Sequence, residues 1–246
     1  MPFPSPCASS MTPPMSPDDP SKPTSDGANG ANGADDDDDD LEAIAGAGEE
    51  SADIDHDHDL SRYTPAPEPV AELFASCVRF VGAKYQFALD FTPDTLSVLD
   101  QYVRDAREDL KQKPETLDLL QATIGAYLGE VMRRSFGGDW FCEGEHDGWR
   151  LDFTYVYLTF NPIGMAREAL MLATADGWHG HLETEEAERE LLEGRLKLLA
   201  DVDEEEYYAP TTRHDVVEIA VDALRAKMQE DGHGDVKFTR EDYGGK

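Results

Sequence analysis

Apolar residues recur every three or four positions in six segments of the chain, the first of them beginning at Val70. That spacing places one continuous apolar stripe on a helix surface. Two Thr/Asn-Pro pairs, Thr92-Pro93 and Asn161-Pro162, each supply a capping residue and a first-turn proline, and Thr212 with Asp215 has capping-box spacing. The pattern predicts helices over about 70–82, 93–110, 115–136, 162–175, 184–199 and 212–230.

Strands are predicted where the apolar period changes from helical to alternating. Residues 85–91 alternate in this way, and so does the segment that follows Gly137-Gly138. The Asp147-Gly148 dipeptide is a strong signal for the turn of a hairpin. Both faces become apolar towards Phe160, so that residues 149–160 form either one long strand or two strands around a bulge near Thr154.

The order of these elements predicts the fold class. Strands that cluster in the middle of the chain, rather than alternating with helices, are typical of α+β proteins. We therefore expect a small, mostly antiparallel sheet of three to four strands packed against about six helices.

Composition divides the chain into parts. Residues 1–69 are rich in Pro, Ser, Gly and Asp, include the run Asp35–Asp40, and have few large apolar residues, so we predict a disordered acidic tail. Residues 70–230 form a single predicted α+β domain, and residues 231–246 a flexible C-terminal tail.

The net charge of −32 restricts the partners of the protein. Residues 70–246 alone hold 36 acidic against 19 basic residues, so the charge is not confined to the tail. Such a surface repels phosphate groups, and we expect neither nucleic acid nor membrane as a direct partner. Three dispersed cysteines, and the lack of a signal sequence or a long apolar run, predict a cytoplasmic protein.

One candidate binding site lies at the junction between the third helix and the sheet. Glu130 and Arg134 are neighbours on that helix, with Tyr127 one turn earlier and Trp140 just beyond its end. These four residues either line a pocket or serve the structure of the junction. Gly125 and Gly129 form a smooth strip that permits close approach of another backbone, and Gly137 or Gly138 ends the helix.

No other motif specifies a chemistry. His179 and His181 could bind zinc only with further ligands, and His214, the one histidine available to add, is not at a diagnostic spacing. The acidic segment 201–206 lacks the glycine that a calcium-binding loop requires. Cys142 near His146 is better explained as a small residue in a strand. We assign no catalytic residue, no metal ligand and no cofactor.

Several short motifs resemble a group of uncharacterised bacterial proteins. The matching features are TPDTLSVLDQYV, the helix IGAYLGEVMRRSFGGDW, a hairpin with DGW, and the helix start FNPIGMAREAL. Together they cover roughly residues 90–172. The matching positions are Tyr127, Gly129, Glu130, Gly138, Trp140, Asn161 and Pro162. The resemblance implies an α+β module that is common in bacteria, with no established activity.

Two functions from different classes follow. The first is a non-enzymatic acidic adaptor or immunity-type protein that binds a basic partner protein. The alternative is a small ligand-binding domain or enzyme with its pocket around Glu130 and Trp140. We favour the first, because no catalytic set of residues can be assembled from the sequence.

Overall fold

The computed structural model describes residues 64–197 and 202–244 of the chain. The predicted disordered tail, with Asp35–Asp40, lies outside this range except for residues 64–69. The described residues form seven α-helices and a four-stranded antiparallel sheet, which confirms the α+β class. None of the helices in the described ranges is long and apolar enough to cross a membrane.

The helices and strands follow one another in an order close to the predicted one. In chain order they are α1 (Glu68–Tyr85), α2 (Leu96–Leu110), α3 (Leu117–Phe136), β1 (Gly138–Phe141), β2 (Arg150–Phe153), β3 (Leu158–Phe160), α4 (Pro162–Met171), β4 (Glu183–Thr184), α5 (Arg189–Leu196), α6 (Glu204–Tyr207) and α7 (Pro210–Glu230). Short 3-10 turns precede α2, α3 and α5.

The sheet is a meander in the order β1-β2-β3-β4. Phe141 pairs with Arg150 at the end of the first hairpin, whose loop contains a 3-10 turn over His146–Gly148 instead of a two-residue turn. Leu151 pairs with Phe160, so residues 149–160 contain two strands and not one. The hairpin prediction is confirmed, and the open question about this segment is decided in favour of two strands.

The strand predicted over residues 85–91 is wrong. Helix α1 continues to Tyr85, and the residues after it belong to no sheet. Leu89 is buried, but Phe87 is 42% exposed. The apolar residues of this segment therefore do not form one buried face. A strand needs a neighbour for its backbone hydrogen bonds, and the described sheet offers none to this segment.

Two further local predictions are corrected. The predicted capping box is wrong, because α7 begins at Pro210 and both Thr212 and Asp215 lie within its helical turns. The N–H and hydroxyl of Thr211 instead donate to Asp100 of α2. The helix predicted from residue 184 is replaced at its start by strand β4 and a turn, and α5 begins only at Arg189.

Helix α3 occupies the centre of the domain, and α4 lies directly against it. A Cβ atom added to Gly125 would lie 2.4 Å from the Cα of Ile163, and one on Gly129 would lie 2.4 Å from the ring of Trp140. Real Cβ contacts are longer. Ile163 and Trp140 therefore approach α3 this closely only because both helix positions are glycine. The predicted glycine strip is therefore confirmed as the contact surface for the start of α4.

Asn161 joins the sheet, the hairpin loop and α4. Its side-chain oxygen accepts hydrogen bonds from the N–H groups of Ile163 (2.9 Å) and Gly164 (3.2 Å), which caps the helix as predicted. Its side-chain nitrogen donates to the carbonyls of His146 (2.8 Å) and Asp147 (3.1 Å). One buried amide thus fixes the position of the loop relative to the helix.

The segment after α7 also contacts the sheet. The N–H of Phe238 donates to the carbonyl of Thr154 at 2.7 Å. The hydroxyl of buried Tyr243 accepts from the N–H of Leu158 at 3.0 Å and lies 2.7 Å from the carbonyl of Phe153, to which it can donate. The contacts of the folded part thus reach past residue 230, where the sequence analysis placed the domain boundary.

Gly125→Ala should lower the free energy of unfolding by about 2 kcal/mol, because the new methyl group meets helix backbone that cannot rotate away. Gly194→Ala in α5 is the control, since an added Cβ there meets nothing within 4 Å. The control should gain up to about 1 kcal/mol through helix propensity. Urea denaturation of both variants measures the difference, and equal effects would contradict the packing at Gly125.

Tyr243→Phe should lower the free energy of unfolding by about 1–2 kcal/mol, because it leaves the buried N–H of Leu158 without its acceptor. Tyr157→Phe is the matched control: its ring stacks on Tyr243 at 4.6 Å, but its hydroxyl has no hydrogen bond among the described residues. Thermal denaturation of the two variants compares them. A Tyr243→Phe protein as stable as wild type would mean that residues 231–244 do not support the sheet.

Candidate functional site

Glu130 lies in a buried ion cluster on α3. Its side chain is 1% exposed and accepts hydrogen bonds from Nε of Arg133 (2.8 Å, to Oε2), Nη2 of Arg133 (3.0 Å, to Oε1) and Nε of Arg134 (2.8 Å, to Oε1). Both arginines follow Glu130 by one helical turn, which places them on the same side of the helix. Nη2 of Arg133 also donates to the carbonyl of Thr64, at 2.9 Å.

The two arginines determine the protonation of Glu130. Burial alone raises the pKa of this carboxyl group, but the hydrogen bonds and charges of Arg133 and Arg134 outweigh burial and hold the pKa below its ordinary value. Glu130 is therefore ionised at neutral pH. A general acid needs the opposite shift, so the environment of Glu130 does not favour acid catalysis.

Arg134 and Tyr127 hold the connection between α1 and α2. The guanidinium of Arg134, whose side chain is 40% exposed, lies 4.0 Å from the centre of the Phe91 ring. The hydroxyl of Tyr127 accepts from the N–H of Phe91 at 3.0 Å and contacts the hydroxyl of Thr95 at 3.1 Å. Tyr127 is fully buried. Its hydroxyl is thus occupied by the protein's own backbone.

Trp140 lies on β1 with its ring against Gly129. Its indole N–H is buried and has no hydrogen-bond partner within the described ranges. From the sequence, this ring either lines a pocket or serves the structure of the junction. In the structure the ring covers the glycine strip of α3.

A cleft of about 260 Å³ borders the Glu130 cluster. Glu130, Arg133 and Arg134 form its charged side, and Phe74 with the segment Thr64–Ala66 lies across from them. The structure therefore brings two of the four candidate residues, Glu130 and Arg134, to one cleft. Tyr127 and Trp140 do not line this cleft, and a binding role for all four residues together stays a prediction.

A second buried ion cluster joins α4 to α7, and the sequence analysis missed it. Glu168 is fully buried and accepts from Nη2 of Arg213 at 2.9 Å. The guanidinium of Arg213 lies over the rings of Tyr207 (4.4 Å) and Tyr208 (5.0 Å). The two partners are 45 positions apart in the chain, and no periodicity links them. Arg133 was missed for a different reason, because a charged residue is ordinarily expected at the surface.

The histidines that were considered for zinc do not converge. His179 contacts Glu183 at the surface (3.1 Å), whereas Nε2 of His181 lies 3.7 Å from Glu168. A separate group on α7, His214 with Asp215 and Glu218, brings three possible ligand atoms within 4.8 Å of one another. His214 already stacks on Phe136, and exposed carboxylates beside a histidine are no site by themselves.

Cys142 does not have the environment of a nucleophile. Burial raises the pKa of its thiol to about 12, so the thiolate is scarce at neutral pH. Its suggested partner His146 packs instead against Trp149, with ring centroids 4.6 Å apart. Both observations agree with a structural role.

The surface has many more acids than bases. The described ranges contain 36 Asp and Glu residues but only 18 Lys and Arg residues. The two best-buried arginines, Arg133 and Arg213, neutralise buried acids and not the surface. On α7 the exposed residues Glu218 and Asp222 have no Lys or Arg partner among the residues that the structure describes.

The central helix, the buried ion clusters and the acidic surface define a small acidic α+β protein. Residues 46–148 match a family described as a family of unknown function, DUF6278. The match covers about two fifths of the chain and names no activity, as the resemblance seen in the sequence implied. No curated protein and no solved structure matches the chain.

Glu130→Gln should lower the free energy of unfolding by about 3 kcal/mol at pH 7, because it leaves buried Arg133 without its counter-charge. The pKa of Glu130 is lowered in the folded state. The difference in free energy of unfolding between wild type and the variant is therefore fully present above pH 4.5, the ordinary pKa of a glutamate. It is lost as the pH falls through the lower pKa of the folded state. Urea denaturation between pH 7 and pH 3 measures this difference.

Glu108→Gln provides the control for that experiment. Glu108 of α2 pairs with Lys111, the residue that follows the helix, and its side chain is 70% exposed. Its replacement should cost less than about 0.5 kcal/mol at any pH. A Glu130→Gln protein that behaves like the control would show that the buried cluster contributes nothing to stability.

Proposed function

We propose that this protein is a non-enzymatic interaction protein, of an adaptor or immunity type, that binds a basic partner protein through its acidic surface. The observation that supports the proposal is the twofold excess of acids over bases in the described ranges. A surface with mostly negative charge attracts a positively charged partner and accelerates its association. The charge would also select against nucleic acid and anionic lipid.

The position of the charges supports this function further. The two fully buried glutamates of the described part, Glu130 and Glu168, are neutralised by arginines. The excess therefore lies on exposed helices, where a partner has access to it. Glu130, the candidate acid or base at the junction, pairs with Arg133 and Arg134.

The alternative is a small ligand-binding domain that uses the cleft beside Glu130. Its support is the combination of the exposed Arg134 guanidinium with apolar Phe74 in one cleft. An apolar carboxylate would fit such a cleft, with its charge on Arg134. Stabilisation of the protein by small carboxylates in a thermal-shift screen, and its loss in Arg134→Gln, would favour this alternative.

The full chain, immobilised and exposed to host lysate at low salt, should retain a basic protein in stoichiometric amount. The dissociation constant of the purified pair, measured by calorimetry, should rise at least about tenfold between about 30 and 300 mM salt. Full-length protein in which Asp35–Asp40 are replaced by Asn tests whether the tail or the domain carries the binding. Retention of no basic partner, or binding without salt dependence, would overturn the proposal.

A further inference from the structure

A second cavity, of about 290 Å³, lies between the end of α7, the β3–β4 edge of the sheet and the segment 233–238. Tyr157 and Phe238 form an aromatic wall, with ring centroids 5.6 Å apart at an angle of 72°. Leu224, Met228 and Val236 add apolar surface. The hydrogen bond from Phe238 to Thr154 and the buried ring of Tyr243 fix this segment to the sheet.

The cavity has a surplus of negative charge. Glu185, Glu188 and Asp231 line it, against one cation, Lys227, which pairs with Asp231 one turn along the chain. The charge of Glu188 also acts on Lys227, but the closest carboxylate of that lysine is Asp231. Two carboxylates thus remain to attract a cation into a partly apolar space.

Glu188 places an unsatisfied acceptor at this cavity. Its Oε2 atom is shielded from solvent and receives no hydrogen bond from the described residues. A buried acceptor without a donor destabilises the protein, and more so when it carries a charge. A ligand that brings an N–H donor to this atom recovers that cost.

We propose that this cavity receives a lysine or arginine side chain of the basic partner, an inference that rests on the function proposed above. The aliphatic stem of such a side chain packs on Met228 and Val236, and its cationic head donates to Glu188 and Glu185. Tyr157 and Phe238, which pack edge to face, add aromatic surface beside the same cation. A volume of 290 Å³ suits a single side chain better than a larger organic ligand.

The experiment uses the full chain and a fluorescein-labelled peptide of repeated Lys-Gly-Gly units, with binding followed by fluorescence anisotropy at low salt. Glu188→Gln, which keeps the shape of the side chain, should weaken binding at least about tenfold. Glu190→Gln is the matched control, because Glu190 is exposed two positions away, loses the same charge and does not line the cavity. Its effect should stay below about twofold.

A second variant tests the cavity without a change of charge. Val236 is 41% exposed, and Val236→Trp would fill the space beside Met228 while leaving the core intact. This variant should also weaken binding about tenfold. In wild type, the methyl NMR signal of Met228 should shift when the Lys peptide is added, and a peptide with Gln in place of Lys should leave it unchanged.

The outcomes separate the two proposals. If wild type does not bind the Lys peptide at low salt, the proposed function and this inference both fail. If wild type binds but Glu188→Gln and Glu190→Gln weaken binding equally, the basic-partner function stands and the cavity is not its receptor. Unchanged binding by Val236→Trp would likewise overturn the assignment of the cavity.

Discussion

The fold depends on the close contact between α3 and the first turn of α4. Gly125 and Gly129 lack side chains, so that the backbone at Ile163 and the ring of Trp140 come against the helix itself. This contact fixes where α4 starts, and the cap residue Asn161 then holds the hairpin loop through two backbone carbonyls. A larger residue in the strip would separate the helix layer from the sheet.

Two ion clusters on either side of this contact show how the domain keeps charges in its interior. Burial of an isolated carboxylate is costly, and each buried Glu is compensated by an arginine with direct hydrogen bonds. In one cluster Arg133 also donates to the backbone of Thr64, and in the other Arg213 lies over two tyrosine rings. These side chains connect elements that are far apart in sequence, and that role accounts for their burial.

The exterior keeps the acidic excess of the chain. Each of the two best-buried arginines pairs with a buried glutamate, so the clusters leave the surplus of acids over bases on the surface unchanged. Most of the exposed acids are spread over helices, whereas Glu188 places one carboxylate oxygen out of contact with water beside a cavity. A dispersed field can attract a basic partner, while a shielded acceptor in an aromatic cavity can select one of its side chains. The two features would act in sequence during binding.

The sequence by itself determined the features that depend on neighbours along the chain. The amphipathic stripes of α2, α3, α4 and α7, the cap at Asn161 and the end of α3 at Gly137 all follow from residues within a few positions of one another. The glycine strip on α3 was also visible, because it is a property of one helix face. Pairing of Glu130 with Arg134 was recognisable for the same reason, since the two residues lie one turn apart.

Only the tertiary structure decided the features that need a distant partner. The apolar alternation at 85–91 forms no strand because no neighbouring strand accepts its hydrogen bonds, while the two-residue β4, too short to show a pattern, pairs with β3. Glu168 meets Arg213, and Tyr243 reaches the turn between β2 and β3, across separations that no local period encodes. Local patterns report backbone preference and amphipathicity, whereas the burial of a charge and the pairing of a strand depend on what the rest of the chain brings to them.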